Sequence, residues 1–221
     1  MANPDVNNGS AGPEQLRRSI DSLQRLYTIV VGLAIAEALR SFLVPPPAPL
    51  PPPDPWWAGW RALVILLVTI VPFYHGANAH LDQTYLYGFD DKRREKRYAL
   101  VMDFFVLFFE GVLFFALAIS LNDFGRFVRI FQLILLADVL WAIFVYMSGD
   151  HAKRPTHAIK WGLLNLGALI AVSLIFDSTW LGPETKPNYI FGAAILRMAG
   201  DYFLCWDFYM ARYPMPTAAT E

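Results

Sequence analysis

The stretch from Lys92 to Leu121 constrains this chain more than any other. A basic hexapeptide, Lys92-Arg93-Arg94-Glu95-Lys96-Arg97, runs through Tyr98 into ALVMDFFVLFFEGVLFFALAI. An apolar run of about 20 residues is the length a helix needs to cross a bilayer. Two acids interrupt it, Asp103 and Glu110, seven residues apart, which puts them on one helical face, two turns from each other. Each mid-bilayer acid costs about 2.5–3.5 kcal/mol on an insertion scale, and each Leu, Ile, Val or Phe returns about 0.3–0.6 kcal/mol. The fourteen such residues between Leu100 and Ile119 therefore only about balance the two acids. The acid face should turn inward, against helices that offer protons, cations or hydrogen-bond donors.

The rest of the chain has the composition of a membrane protein: 221 residues, 56% hydrophobic, 15% aromatic and only 17% charged. A net charge of −1 gives no reason to expect a nucleic-acid partner. The single cysteine, Cys205, excludes an intramolecular disulfide and a cysteine-rich metal site. The N-terminal MANPDVNNGSAGPEQ lacks the basic region and cleavage pattern of a removable signal peptide, so the first span is expected to be an uncleaved anchor.

In chain order, residues 1–13 are expected to form a disordered tail and residues 14–212 a single membrane domain. Leu16, Ile20, Leu23, Leu26 and Tyr27 make an amphipathic lead-in that lies at the membrane surface or extends the first span. That span is placed at 27–44, with Glu37 and Arg40 spaced to pair within it. Residues 45–55, PPPAPLPPPDP, stop the helix and are read as a stiff polyproline spacer rather than a ligand for an aromatic groove. Trp56, Trp57 and Trp60 follow as an interfacial belt. A second span at 57–79 contains Pro72, expected to kink it. The third span is 98–121. The fourth, 127–147, carries Gln132 and Asp138. The fifth, 157–176, carries Asn165, with Gly162 and Gly167 expected to allow close helix approach. The sixth, 189–210, carries Arg197, Asp201 and, near its end, Asp207. Residues 213–221 form a C-terminal tail.

Lys and Arg decide the topology. Twelve lie in the N-terminal lead-in, the 80–98 and 148–160 loops and the C-terminal tail, against four on the other side. Both termini are thus expected in the cytoplasm, with an even number of crossings. The fold class that follows is an all-α integral membrane protein, a bundle of six transmembrane helices, residing in the plasma (inner) membrane. Trp56, Trp57, Trp60 and Trp180 then fall at the outer interface, and Tyr85, Tyr87, Tyr209 and Tyr213 at the inner.

Each in-span polar residue now acquires a depth. Glu110, Asp138, Asn165 and Asp201 fall near the midplane, with Glu37 and Arg197 slightly outward. Asp103, His75, Asn78, Asp82 and Asp207 gather toward the cytoplasm. Ionisable residues in spans face the bundle interior or a wet cavity and commonly mark ion or proton paths. Because the midplane acids outnumber the arginines, some must carry protons or the cavity must admit cations or water. A candidate path therefore comprises Glu110, Asp138, Asp201, Arg197, Glu37 and Asp103, with a cytoplasmic-side group of His75, Asn78, Asp82 and Asp207. Asp138 is expected within reach of Arg197, and Asn165 reads as an interhelical hydrogen-bonding residue.

No catalytic residues, metal ligands or cofactor are assigned. His75, His80, His151 and His157 fall near the cytoplasmic edge, but His75 and His80 are five apart, off one α-helical face, and no paired histidine motif is present. Phosphate-loop and nucleophile-elbow motifs are missing too. Three functions stay open: a proton or ion channel or small ion-coupled transporter; a non-enzymatic membrane subunit or sensor with a structural polar core; and an intramembrane enzyme acting on lipid or isoprenoid. The expected partners are the bilayer itself, anionic lipid headgroups at Lys92, Arg93, Arg94, Lys96 and Arg97, and a second copy or another membrane protein.

Overall fold

A computed structural model of the chain describes residues 13–44, 57, 59–87, 97–148 and 156–210. The polyproline spacer, the basic residues 92–96, His151 and the C-terminal tail lie outside them. Among the described residues the secondary structure is helical throughout: α1 (Pro13–Leu43), α2 (Gly59–Leu81), α3 (Arg97–Ile119), α4 (Phe124–Ser148), α5 (Thr156–Asp177), α6 (Lys186–Leu204) and a single turn, α7 (Trp206–Tyr209). α2 runs on into a π-helical turn, Asp82–Leu86, where the Tyr87 N–H donates to the Asp82 carbonyl at 3.0 Å. Pro13 opens α1, a position that needs no amide donor. The lead-in is continuous with the first long helix, and Ile20, Leu23 and Tyr27 are buried against the bundle. It extends the span rather than lying on a surface.

The helices close into a ring in the order α1, α3, α4, α5, α6, α2, with α2 also touching α3. Contacts at the ends give their directions. At one end the Trp57 indole donates to the Leu121 carbonyl (2.6 Å) and packs on Phe124 and Phe127, Phe124 meets Phe176, and Trp60 meets Phe191. At the other, Gln24 donates to Asp82 (2.8 Å), His80 and Trp141 reach Asp103, and the Lys160 ammonium donates to the Leu204 carbonyl (3.3 Å). Successive helices α1 to α6 therefore alternate in direction, and the start of α1 and the end of α6 share the Asp103 end.

Among the described residues five helices are long and apolar enough to cross a membrane: Glu14–Leu43, Gly59–Leu86, Tyr98–Ile119, Phe124–Ser148 and Thr156–Asp177. Their polarity is inside out. On α3, Phe105, Phe108, Phe109, Val112, Phe115 and Ile119 point outward, while Asp103, Leu107, Glu110, Phe114 and Leu117 are buried at alternating spacings of four and three. α6 repeats the pattern, with Pro187, Ile190, Ala194, Arg197 and Asp201 inward. At 19 residues and 1.5 Å per residue it is about 28 Å long, close to the hydrocarbon thickness. The expected sixth span at 189–210 is not one helix: the chain leaves helical geometry at Cys205 and α7 turns back beneath the bundle.

Several local expectations change. Trp57 is 3% exposed and seals the α3–α4 turn, whereas Trp180, at 79%, remains on the surface. Tyr85 and Tyr209 are likewise packed inside the protein, each hydroxyl bonded to a buried carboxylate. A Cβ added at Gly162 would come within 3.1 Å of Ala142, so α4 and α5 approach closely there, but Gly167 faces open space. The tighter approach is at Gly111, where a Cβ would lie 2.5 Å from a Val30 methyl, bringing α1 against α3.

Candidate functional site

At mid-depth four helices and the terminal turn contribute to one buried polar chain. Asp138 on α4 accepts from the Asn165 amide on α5. The Asn165 carbonyl oxygen accepts from Arg197 Nε on α6 at 2.6 Å, and Arg197 Nη2 lies 3.5 Å from Asp201 Oδ2 one turn along. Asp201 Oδ1 accepts from the Tyr209 hydroxyl at 2.9 Å, and that oxygen is 3.4 Å from the Pro72 carbonyl on α2. The guanidinium also sits over the Phe73 ring, 4.5 Å from its centroid, a cation–π contact that partly replaces lost hydration. Glu110, Asp138, Asn165 and Asp201 are all 0% exposed and Arg197 is 2%.

Asp138 and Arg197 thus meet through Asn165 rather than directly. The amide suits the place because it donates to a carboxylate and accepts from a guanidinium at once. Its second donor contact, to the Trp161 carbonyl at 3.1 Å, holds the side chain along α5.

Not every polar atom in this layer is paired. Both Glu110 carboxyl oxygens, Asp138 Oδ1, Arg197 Nη1 and the Tyr27 hydroxyl are buried without a protein hydrogen-bond partner. Tyr27, Glu110, Asp138 and Arg197 lie near enough to one another to interact electrostatically. An unpartnered buried polar group costs about 1–3 kcal/mol, more when charged, so a folded core that keeps several has a use for them or holds small polar occupants. Three carboxyls facing one guanidinium cannot all be ionised without further cations.

Asp103 forms a separate, fully packed centre toward the end where α1 begins. Its Oδ2 accepts from Tyr85 (2.6 Å) and from His80 Nε2 (3.2 Å), and its Oδ1 from the Trp141 indole (3.0 Å). With His80 Nε2 donating, Nδ1 is left to accept from the Thr84 hydroxyl at 3.4 Å. The π turn makes this possible. Residues five apart fall off one α-helical face, but an i to i+5 turn brings the side chains of His80 and Tyr85 to the same carboxylate. Beside it lies a cavity of about 10 Å³ lined by His80, Trp141, His157, Trp161 and Phe208 among others, about the room one water needs. The buried Trp161 Nε1, also unpartnered, belongs to that wall.

The other candidates are dispersed. Glu37 is held by Arg40 in a two-point pair (2.8 and 2.5 Å) with Ser41 at 3.1 Å, at the far end of α1. Asp82 is tied to Gln24, Asn78 to the Tyr74 carbonyl on its own helix, and Asp207 is exposed. His75 alone of its group touches the main chain of contacts, its ring 4.6 Å from that of Tyr209. Among the described residues no group of three or more His, Cys, Asp or Glu is placed to hold a metal ion.

Tyr27, His80, Tyr85, Trp141 and Tyr209 are the members that sequence reading did not assign to a site. Their signal was slight: Tyr27 sits on the same stripe as Ile20 and Leu23, and Tyr209 eight residues after Asp201. Compared with known protein families, with curated proteins and with solved structures, the chain matches none.

Proposed function

We propose that this protein moves protons across the plasma (inner) membrane, as a channel or small proton-coupled carrier, in a six-crossing arrangement with both termini in the cytoplasm. The observation that carries the reading is Glu110, fully buried on the inward stripe of α3, with neither carboxyl oxygen bonded to protein. An acid there can take up and give back a proton without breaking a structural contact. In the same buried core Asp138, Asn165, Arg197 and Asp201 form a hydrogen-bonded chain of their own, which leads on to Tyr209. Burial of Glu110, Asp138 and Asp201 at 0% exposure suits a proton better than a hydrated cation, which would need a wide wet path. The basic loop from Lys92 to Arg97 would rest on anionic headgroups of the cytoplasmic leaflet.

A structural core is the second reading, favoured by the unbroken Asp138–Asn165–Arg197–Asp201–Tyr209 chain, which alone would fix helix register. The variant Glu110→Gln separates the two, because it keeps volume and hydrogen-bonding capacity but removes ionisation. In liposomes containing a pH-sensitive dye, it should reduce proton entry to the protein-free rate with no fall in melting temperature. A lowered melting temperature with flux in proportion to surviving protein would support the structural core instead. Full flux would remove Glu110 from the path.

A further inference from the structure

The buried chain must meet water somewhere, and its contacts lead to one edge of the bundle. From Arg197 the last acid is Asp201, and from Asp201 the next polar atom is the Tyr209 hydroxyl at 2.9 Å. Tyr209 packs over Gly76, where an added Cβ would make an ordinary contact, 3.4 Å, with the Tyr209 oxygen. The turn at Cys205, whose N–H still donates to the Asp201 carbonyl at 2.9 Å, folds the tyrosine back over α2. Its ring then lies against His75 at 4.6 Å and 31°, with the Tyr202 ring 4.9 Å from Tyr209 and 6.0 Å from His75. His75 is partly exposed where Asp201 is fully buried.

We propose that His75 is the port through which Asp201 exchanges protons with the aqueous phase at the Asp103 end, a role that rests on the proton reading above. Imidazole changes charge near neutral pH and can accept a proton on one nitrogen while releasing one from the other. The step moves a proton only. The imidazolium of His75 gives its proton to the Tyr209 oxygen as that hydroxyl passes its own proton to Asp201 Oδ1, or gives it to the carboxyl directly. The return runs in reverse, and a proton from bulk water restores the imidazolium. The groups facing His75 fit this use. Tyr202 from the end of α6 and Tyr209 from α7 lie against it, Asp201 stands behind the Tyr209 hydroxyl, and on α2 the Asn78 amide donates to the Tyr74 carbonyl.

The test uses the full chain in dye-loaded liposomes with a proton gradient. His75→Ala should slow proton entry at least about a hundredfold, the low side of what a positioned acid–base group contributes. Free histidine, a zwitterion that does not cross lipid, should restore the rate in a concentration-dependent way when added on the side His75 faces. It should do nothing for wild type or for Glu110→Gln. His75→Gln, a hydrogen-bonding replacement, should behave like the alanine variant and guards against a loss of folding. No wild-type flux overturns the proton reading and the port with it. Wild-type flux retained in both His75 variants overturns the port alone, as does a loss that no concentration of histidine restores.

Discussion

At the scale of single residues, Asn165 shows what holds the layer together. It is the one neutral member between an acid and a base, donating to Asp138 and accepting from Arg197 Nε at 2.6 Å. Asn165→Leu, similar in size, would strand both charges. Removing one partner of a buried charge network costs about 3–5 kcal/mol, and we expect a loss of that order in detergent unfolding. A double-mutant cycle with Asp138→Leu should show strong coupling, since once the acid is gone the amide has less to bridge. Additive losses would mean that the bridge carries no energy. That Glu110, Asp138, Arg197 and Asp201 turn inward was legible in the sequence, because lipid makes any other placement too costly. Which atom bonds which was not. Depth along a helix brings Asp138 and Arg197 to one level, but only the packed rotamers show that an amide fits between them. Glu37 pairs with Arg40, as the i,i+3 spacing suggests, and the pair holds it at the far end of α1.

At the scale of the helix, close approach is decided by small residues, and the decisive one is Gly111. α1 and α3 meet where a Cβ at this position would stand 2.5 Å from Val30, closer than any real contact. Since Glu110 precedes it, forcing α1 away would also displace the acid. Gly111→Ala should therefore destabilise the protein by about 1–3 kcal/mol, the usual cost of overpacking. Gly167→Ala, with nothing within 4 Å, should be neutral or slightly stabilising through helix propensity. Thermal melts of the two variants check this, and equal effects would refute the α1–α3 contact. Apolar run length located the helices well, since the bilayer sets it. It did not reveal the π turn at Asp82–Leu86 or the break at Cys205. Both depend on tertiary partners: the Asp103 carboxylate gathers His80 and Tyr85, and Asp201 draws Tyr209 back. A period of 3.6 residues separates those pairs, so no helical pattern could announce them.

For the whole molecule, the open question of architecture is whether α6 crosses. Taken alone it is less apolar than the five other long helices, because its inward stripe carries Arg197 and Asp201. Within the ring those charges are paired and buried between α5 and α2, and its outer face presents Tyr189, Leu196 and Phe203. It is therefore apolar where lipid would touch it. The start of α6 shares an end with Trp57 and the α3–α4 turn, and its last residue accepts from Lys160 at the opposite end. The excess of Lys and Arg toward that second end would hold it in the cytoplasm. Cysteines placed one at a time in a Cys205→Ser background test the arrangement with an impermeant thiol reagent on intact cells. Ala48→Cys, Asp123→Cys and Glu184→Cys should label from outside; Arg94→Cys and Thr217→Cys should label only after the membrane is opened. The Glu184 and Thr217 pair decides the number of crossings, because they flank α6. Labelling of both from the same side would leave five crossings, place the C-terminus opposite to the charge balance, and pull Arg197 and Asp201 out of the membrane layer on which the proton path depends.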